Sequence, residues 1–184
     1  MVHDDAKDID FLLTQTDLIS YIHKHPRCIS CGDIPLYSLF PGKHLLGDQP
    51  SNVLTMKHTD SLCDGVYKMI KHRIPSIAIL EDGNPVGALS SGDVLRLEQQ
   101  SVSMLHAPVM EYLELLRQSI EDYDAQFCLV SGYSTFSQVI QILAERAMDR
   151  VWITHRSRLV GVVSCSDILA NLIGKIPMSP YAVD

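Results

Sequence analysis

Three short stretches pair a hydroxyl with a carboxylate at one spacing: Thr14 with Asp17, Ser90 with Asp93, and Ser164 with Asp167. Each follows an apolar run and precedes an aliphatic pair. A hydroxyl three positions before an acid, just ahead of a helical pattern, is the signature of a capping box. The hydroxyl accepts from a backbone N–H, and the acid reaches back to the first backbone N–H. That arrangement needs no ligand. A carboxylate also has several lone-pair sites for outside donors, and the free amides of a helix start favour an anion, so the spacing leaves capping and binding both open. Lys71, His72 and Arg73 stand before the run Ile74 to Leu80, and Arg150 stands before Val151-Trp152-Ile153. The plain reading of each is a solvated base at a strand start.

His23, His25, Cys28 and Cys31 place four potential zinc ligands within nine positions. The two histidines lie at i and i+2, poor spacing for one helix face, and no second Cys-x-x-Cys follows, so no metal is expected. Gly-rich phosphate loops, a Gly-x-Ser-x-Gly elbow and a His-Glu-x-x-His motif are all absent, which argues against an enzyme.

The elements that must position these residues form an internal repeat. Phe11 to Ile19, Val86 to Leu95 and Val160 to Leu169 align as apolar run, hydroxyl, two residues, Asp and aliphatic pair, with the Asp residues 76 and 74 positions apart. Upstream, Arg73 and Arg150 both precede β-rich runs, at a separation of 77. Leu62, Val66, Met69 and Ile70, and Phe136, Val139, Ile140 and Leu143, carry helical apolar spacing. Short apolar strands, Val53 to Met56 and Phe127 to Val130, come before those helices. Each full unit therefore reads strand, helix, strand, turn, strand, helix. Asp82-Gly83 suits a tight hairpin turn, whereas Arg156-Ser157-Arg158 has no glycine. The expected division is 1–25 as the last strand and helix of a preceding repeat, 26–52 as linker with a short helix near Leu36 to Leu39, and 53–97 as a repeat. After these come 98–126 as linker with a helix from Pro108, 127–174 as a repeat, and 175–184 as an unstructured tail.

This pattern resembles the cystathionine-β-synthase-type (CBS) domain, whose repeats pair into a Bateman module. Within that family it is most similar to the C-terminal half of the gamma regulatory subunit of AMP-activated and sucrose-non-fermenting-type protein kinases. The stretches that carry the likeness are Lys71 to Ile77, Asp149 to Ile153, Gly161 to Leu169, and Thr14 to Asp17 as the end of a preceding repeat. The resemblance implies an α/β fold of tandem CBS repeats related by a pseudo-twofold axis, with small mixed sheets packed together and helices outside. It implies an adenine nucleotide (AMP, ADP or ATP) as ligand in clefts between the repeats. Asp93 and Asp167 would accept from the ribose diol, and Ser90, Ser164 and Ser166 would hold backbone or phosphate. Arg73, His72 and Arg150 would take the phosphate, for which the planar guanidinium is suited, and Thr14 and Asp17 belong to the same pattern.

Two departures bear on these sites. Asp149 puts a carboxylate beside the expected Arg150 phosphate position, repulsive unless it turns away, and Pro75 could shift the register of its strand. Arg73 with Asp93 thus reads as the more complete site. The implied partner is a kinase catalytic and scaffold assembly, and a homodimer could rebuild a four-repeat assembly. The alternative is a ligand-free interaction or dimerisation module in which the Asp residues only cap.

The totals set the remaining expectations. The chain has 184 residues, 46% hydrophobic and 20% charged, enough apolar material for a core. A net charge of −7 with scattered Lys and Arg argues against nucleic acid. No apolar run is long enough to cross a membrane and no secretory signal opens the chain, so the cytosol or nucleus is expected, with five free cysteines. From the half copy at Asp17 the expectation is either the back end of a longer four-repeat protein or a divergent short member.

Overall fold

A computed structural model describes residues 2–4, 9–29, 31–46, 53–97, 99–119 and 127–175. In chain order its elements are β1 (Val2–Asp4), β2 (Ile9–Phe11), α1 (Gln15–Lys24), α2 (Leu36–Leu39), β3 (Thr55–Lys57), α3 (Leu62–His72), β4 (Ser76–Glu81) and β5 (Asn84–Ser90). They continue with α4 (Ser91–Leu95), α5 (Val109–Ser119), β6 (Leu129–Ser131), α6 (Phe136–Glu145), β7 (Arg150–His155), β8 (Arg158–Ser164) and α7 (Cys165–Lys175). Short 3-10 segments occupy Pro26–Cys28, Pro41–Lys43 and Gln99–His106. The strands form a β1–β2 hairpin and two three-stranded sheets, β3-β4-β5 and β6-β7-β8. The expected tail beyond residue 175 lies outside the described residues.

Contacts divide the chain into two units. One comprises residues 1–47, 128–153 and 162–184, and the other residues 48–127 and 154–161. In the second unit β3 runs parallel to β4, with Thr55 opposite Ala78, and β4 is antiparallel to β5, with Ile77 opposite Leu89. That mixed sheet is what a strand–helix–strand crossover followed by a hairpin produces. Ser61 caps α3 by accepting from the Asp64 N–H, and Arg73 closes it in the left-handed conformation, φ 54°. Gly65 lets α3 approach the sheet: a Cβ there would lie 2.8 Å from Leu89 and 3.0 Å from Met56. Met56, Leu62, Met69, Ile77, Ile79 and Leu89 pack with Val109, Tyr112, Leu113 and Leu116 of α5 into one core. Pro75 leaves the start of the strand in register; the irregularity falls later, between Ile79 and Leu80.

In the first unit α1 packs on α6 and α7. Ile19, Phe136, Val139, Ile140 and Leu143 are fully buried, as are Val151 and Ile153 of β7. The terminal strand of the half copy ends at Phe11, so Leu12 and Leu13 are exposed where their repeat counterparts continue a strand.

The segments expected to be linkers are structural parts of the units. Pro35 bridges Thr135 at the start of α6, with Leu36 donating to the Ser134 carbonyl and Phe136 to that of Ile34, both at 3.0 Å. Pro108 bridges Ser61 at the start of α3 in the same way, through Val109 N–H to Asp60 (2.9 Å) and Leu62 N–H to Ala107 (3.0 Å). The segment ahead of the first full repeat thus completes the second, and the segment between them folds back on the first. Each satisfies backbone groups that a helix start leaves open.

Candidate functional site

All three predicted pairs form complete capping boxes. Asp17 accepts the backbone N–H of Thr14 (2.8 Å), Asp93 that of Ser90 (2.8 Å) and Asp167 that of Ser164 (2.8 Å), while each hydroxyl accepts the acid's own N–H at 3.2 Å. The motif is not confined to these places. Ser61 caps α3 against Asp64, and Thr135 forms a box with Gln138 at α6. A box by itself therefore does not mark a ligand site. The neighbours of each box distinguish them.

Asp167 has the richest surroundings. Its Oδ2 takes the Ser164 N–H and hydroxyl, the latter at 2.7 Å, and its Oδ1 lies 3.0 Å from Lys43 Nζ. Lys43 also donates to the Val162 carbonyl at 3.1 Å, and both ion-pair side chains are about one-third exposed. Burial pushes the Asp167 carboxyl up, but the Ser164 donors and the Lys43 ammonium outweigh it, and the group sits below the ordinary carboxylate value. Ser166 donates to Gln15 Oε1 at 2.8 Å, tying the start of α7 to that of α1. Thr14 and Asp17 stand beside Gln15, and the Thr14 hydroxyl and N–H hold the Asp17 carboxyl low. The Lys43 turn is closely supported: a Cβ on Gly132 would lie 2.6 Å from the Leu45 carbonyl.

Arg150 enters β7 as expected, but its guanidinium is engaged. Nε and Nη2 make a bidentate pair with Asp149 at 2.8 and 2.6 Å. Asp149 therefore occupies the fork that a phosphate would use. The Asp149 carbonyl accepts the Cys165 N–H at 2.8 Å, so the pair sits against the first residue of α7.

At the second box Asp93 is only 3% exposed, and its backbone carbonyl accepts the Tyr112 hydroxyl at 2.8 Å. Arg73 and His72 are exposed at the end of α3, and Lys71 lies 5.8 Å from the Tyr67 ring. The pairing of Arg73 with Arg150 is corrected by the hydrogen-bond frame. Ile74 N–H to Met69 matches Met148 N–H to Leu143, and Ser91 N–H to Pro75 matches Cys165 N–H to Asp149. Arg73, φ 54°, matches Ala147, φ 49°. Every one of these pairs is offset by 74, like Asp93 and Asp167, so Arg150 corresponds to Ser76, a buried residue bonded to the Leu89 carbonyl. Residue type had matched three positions out of frame. The Asp167 surroundings hold a partly exposed carboxylate and base, whereas Asp93 is buried, with the exposed Arg96 donating to the Gly92 carbonyl beside it.

Lys43 and Gln15 escape sequence reasoning. Both are contacts across the chain, and the only local cue for Lys43 is the Pro41-Gly42 turn that carries it. Of the His and Cys run, His25 stacks on Tyr21 with ring centroids 4.1 Å apart. Among the described residues no three metal-ligating side chains gather. Cys31, Cys128 and Cys165 are buried thiols and Cys63 is exposed. No helix among the described residues is long and apolar enough to cross a membrane.

The family model for the CBS domain matches residues 50–99 and 126–174, together more than half of the chain. Protein SDS23 from Candida albicans is 24% identical over 92% of this chain, which spans 28% of that protein's length. Among solved structures, protein MJ1225 from Methanocaldococcus jannaschii, proposed as an archaeal homolog of g-AMPK, superposes with a TM-score of 0.58 at 16% identity. The match covers 91% of this chain and 56% of that one. The CBS-domain containing protein ATU1752 from Agrobacterium tumefaciens superposes with a TM-score of 0.56 at 17% identity, covering 74% of this chain and 96% of the other. Two matched repeats, two mixed three-stranded sheets and three strand-to-helix boxes lead to one conclusion: this chain belongs to the CBS-domain family, as a tandem CBS pair.

Proposed function

We propose that this chain is a non-catalytic regulatory module that binds an adenine nucleotide at the start of α7 and reports its presence to a partner. The observation that carries the reading is the Lys43–Asp167 pair. An ionised carboxylate suited to a ribose diol and an ammonium suited to a phosphate stand 3.0 Å apart, both partly exposed, beside the Ser164 and Ser166 hydroxyls. A nucleotide would exchange the ion pair for two ligand contacts, Asp167 to ribose and Lys43 to phosphate. The α7 amides would add to the anion's stabilisation. The shift of conformation available to a partner is limited to the ligand's differential affinity for the two states. A protein kinase assembly is the partner we infer, from the likeness to the proposed g-AMPK homolog, with self-association as a further mode of assembly.

A second reading has its own observation. Asp17, Asp93 and Asp167 are each already used as caps, which is all that a ligand-free interaction module requires. Isothermal titration of the chain with AMP, ADP, ATP and S-adenosylmethionine separates the two. The nucleotide reading expects binding that Asp167→Asn and Lys43→Met each weaken at least tenfold. Absence of heat with every ligand, with Asp167→Ala costing only the roughly 1 kcal/mol of a lost cap, would sink it.

A further inference from the structure

Shortly after the acid of each capping box stands an aliphatic side chain: Ile19 after Asp17, Leu95 after Asp93 and Leu169 after Asp167. The three occupy one place in the repeat and meet different surroundings. Ile19, on α1, is fully buried, and α1 packs on α6 and α7. Leu169, on α7, is half-buried. Leu95, on α4, is 86% exposed, more than any other large apolar side chain among the described residues.

The helix that receives α1 repeats the contrast. In the frame set by the matching hydrogen bonds, Ile140 and Ala144 of α6 correspond to Val66 and Ile70 of α3. Ile140 is fully buried and Ala144 half-buried, whereas Val66 is half-buried and Ile70 is 71% exposed. Tyr67, next to Val66 on α3, is 61% exposed. Because one helix touches both α6 and α7, the corresponding faces of α3 and α4 adjoin by the repeat. An apolar face of this kind, rimmed by charges, marks a surface for association.

The occupant follows from what the second unit carries. In the first unit the packing joins a helix of the α4 kind, α1, to the pair α6 and α7. The second unit holds both parts: Leu95 is the equivalent of Ile19, and α3 with α4 is the equivalent of the receiving pair. Two copies therefore complement each other about a twofold axis, each giving Leu95 and each receiving it. Charge agrees with this. Asp64 and Lys71 are exposed on the same side of α3 as Tyr67, about two helical turns apart, so an antiparallel crossing of α3 with α3 sets each Asp64 opposite Lys71 of the other copy. Lys68 does not compete, being paired with Asp60 at 3.0 Å.

We propose that the α3 and α4 face of the second unit is the surface through which this chain pairs with a second copy of itself, with Leu95, Ile70 and Tyr67 at the centre and Asp64 against Lys71 at the rim. The proposal rests on the self-association named above and gives it a surface. It draws on no residue of the Lys43–Asp167 surroundings.

The test is sedimentation velocity on the chain without nucleotide, across a range of loading concentrations. A reversible monomer–dimer equilibrium is expected. Leu95→Asp and Ile70→Asp should each raise its dissociation constant about tenfold or more. Leu12→Asp, at an apolar side chain 75% exposed in the first unit, should leave it unchanged. Asp64→Lys and Lys71→Glu should each weaken the homodimer, and mixing the two variants should restore a dimer, because only the mixed pair sets opposite charges together at both contacts. Circular dichroism on each variant verifies the fold. A chain that stays monomeric at every concentration would overturn both the surface and the self-association. A dimer that survives Leu95→Asp and Ile70→Asp, or one lost in Leu12→Asp, would overturn the surface alone. A mixture of the charge variants that stays monomeric would overturn the antiparallel pairing of α3 with α3.

Discussion

Lys43 Nζ stands 3.0 Å from Asp167 Oδ1, joining a 3-10 turn from the segment before the first full repeat to the helix that ends the last one. The contact closes the first unit, because the same ammonium also takes the Val162 carbonyl at the end of β8. Removing it tests stability and binding together.

In the folded chain the Asp167 carboxyl is depressed, although burial opposes this, by its Ser164 donors and by Lys43. A depressed carboxyl contributes stability that is present above its unfolded value of about 3.9 and is lost as pH falls through the folded value. Lys43→Met should therefore cost roughly 1 kcal/mol at pH 7, and less at a pH below the depressed folded value of Asp167, where the wild type has lost the same contribution. Urea unfolding midpoints at the two pH values measure this. Equal losses at both would show that Lys43 acts by packing alone.

The boxes differ in burial, and their variants should differ in cost. Asp93→Ala removes the acceptor for the Ser90 N–H at a site only 3% exposed, so a loss of about 2 kcal/mol is expected, combining a lost cap with a buried unpaired donor. Asp17→Ala removes an exposed cap and should cost clearly less. Thermal unfolding of the two variants side by side decides this, and a larger loss at Asp17 would contradict the burial argument.

These boxes are legible in the sequence because hydroxyl and acid lie three residues apart and see one another through local backbone geometry. The helices and strands are legible for the same reason, from apolar spacing at Phe136, Val139, Ile140 and Leu143. Lys43 is not legible, since nothing near position 43 encodes a partner at position 167. The Arg73 and Arg150 alignment misleads because two bases before β-rich runs look equivalent, while the hydrogen bonds of Ile74 and Met148 set the true frame. The segments around Pro35 and Pro108 look like linkers because their partners, Thr135 and Ser61, are distant in the chain.

Asp149 holds the Arg150 fork by two hydrogen bonds. Asp149→Asn removes the competing charge, and if Arg150 meets the phosphate of a nucleotide at the start of α7, AMP should bind about three- to tenfold more tightly, roughly 1 kcal/mol. Titration calorimetry reads this directly. Unchanged affinity would remove Arg150 from the nucleotide site while leaving Lys43 and Asp167 in it.

Thiol reactivity should separate the cysteines. Burial first, and the nearby Asp149 charge second, push the Cys165 thiol up to about 11. At pH 8 its thiolate fraction is then on the order of one in a thousand, whereas Cys63 is exposed on α3. Titration with a chromogenic disulfide should label Cys63 at once and Cys165 only on unfolding. Rapid labelling of Cys165 in the folded chain, located by peptide mass, would contradict its burial.

The two hairpin turns should respond with opposite sign to exchange of their central residues. Gly83 and Ser157 occupy the same place in the repeat, at φ 82° and 64°. Glycine tolerates that region and serine does not, but glycine also gains freedom in the unfolded chain, so the effect is a difference of two terms. Relief of the left-handed penalty of about 1–2 kcal/mol per residue exceeds the entropic cost of roughly 0.5–1 kcal/mol. Ser157→Gly should therefore stabilise the chain modestly, and Gly83→Ser should destabilise it by a similar amount. No heavy atom lies within 4 Å of a Cβ built on Gly83, so a loss there reports backbone strain and not collision. If Ser157→Gly destabilises instead, the Ser157 side chain contributes more to its turn than its backbone conformation costs.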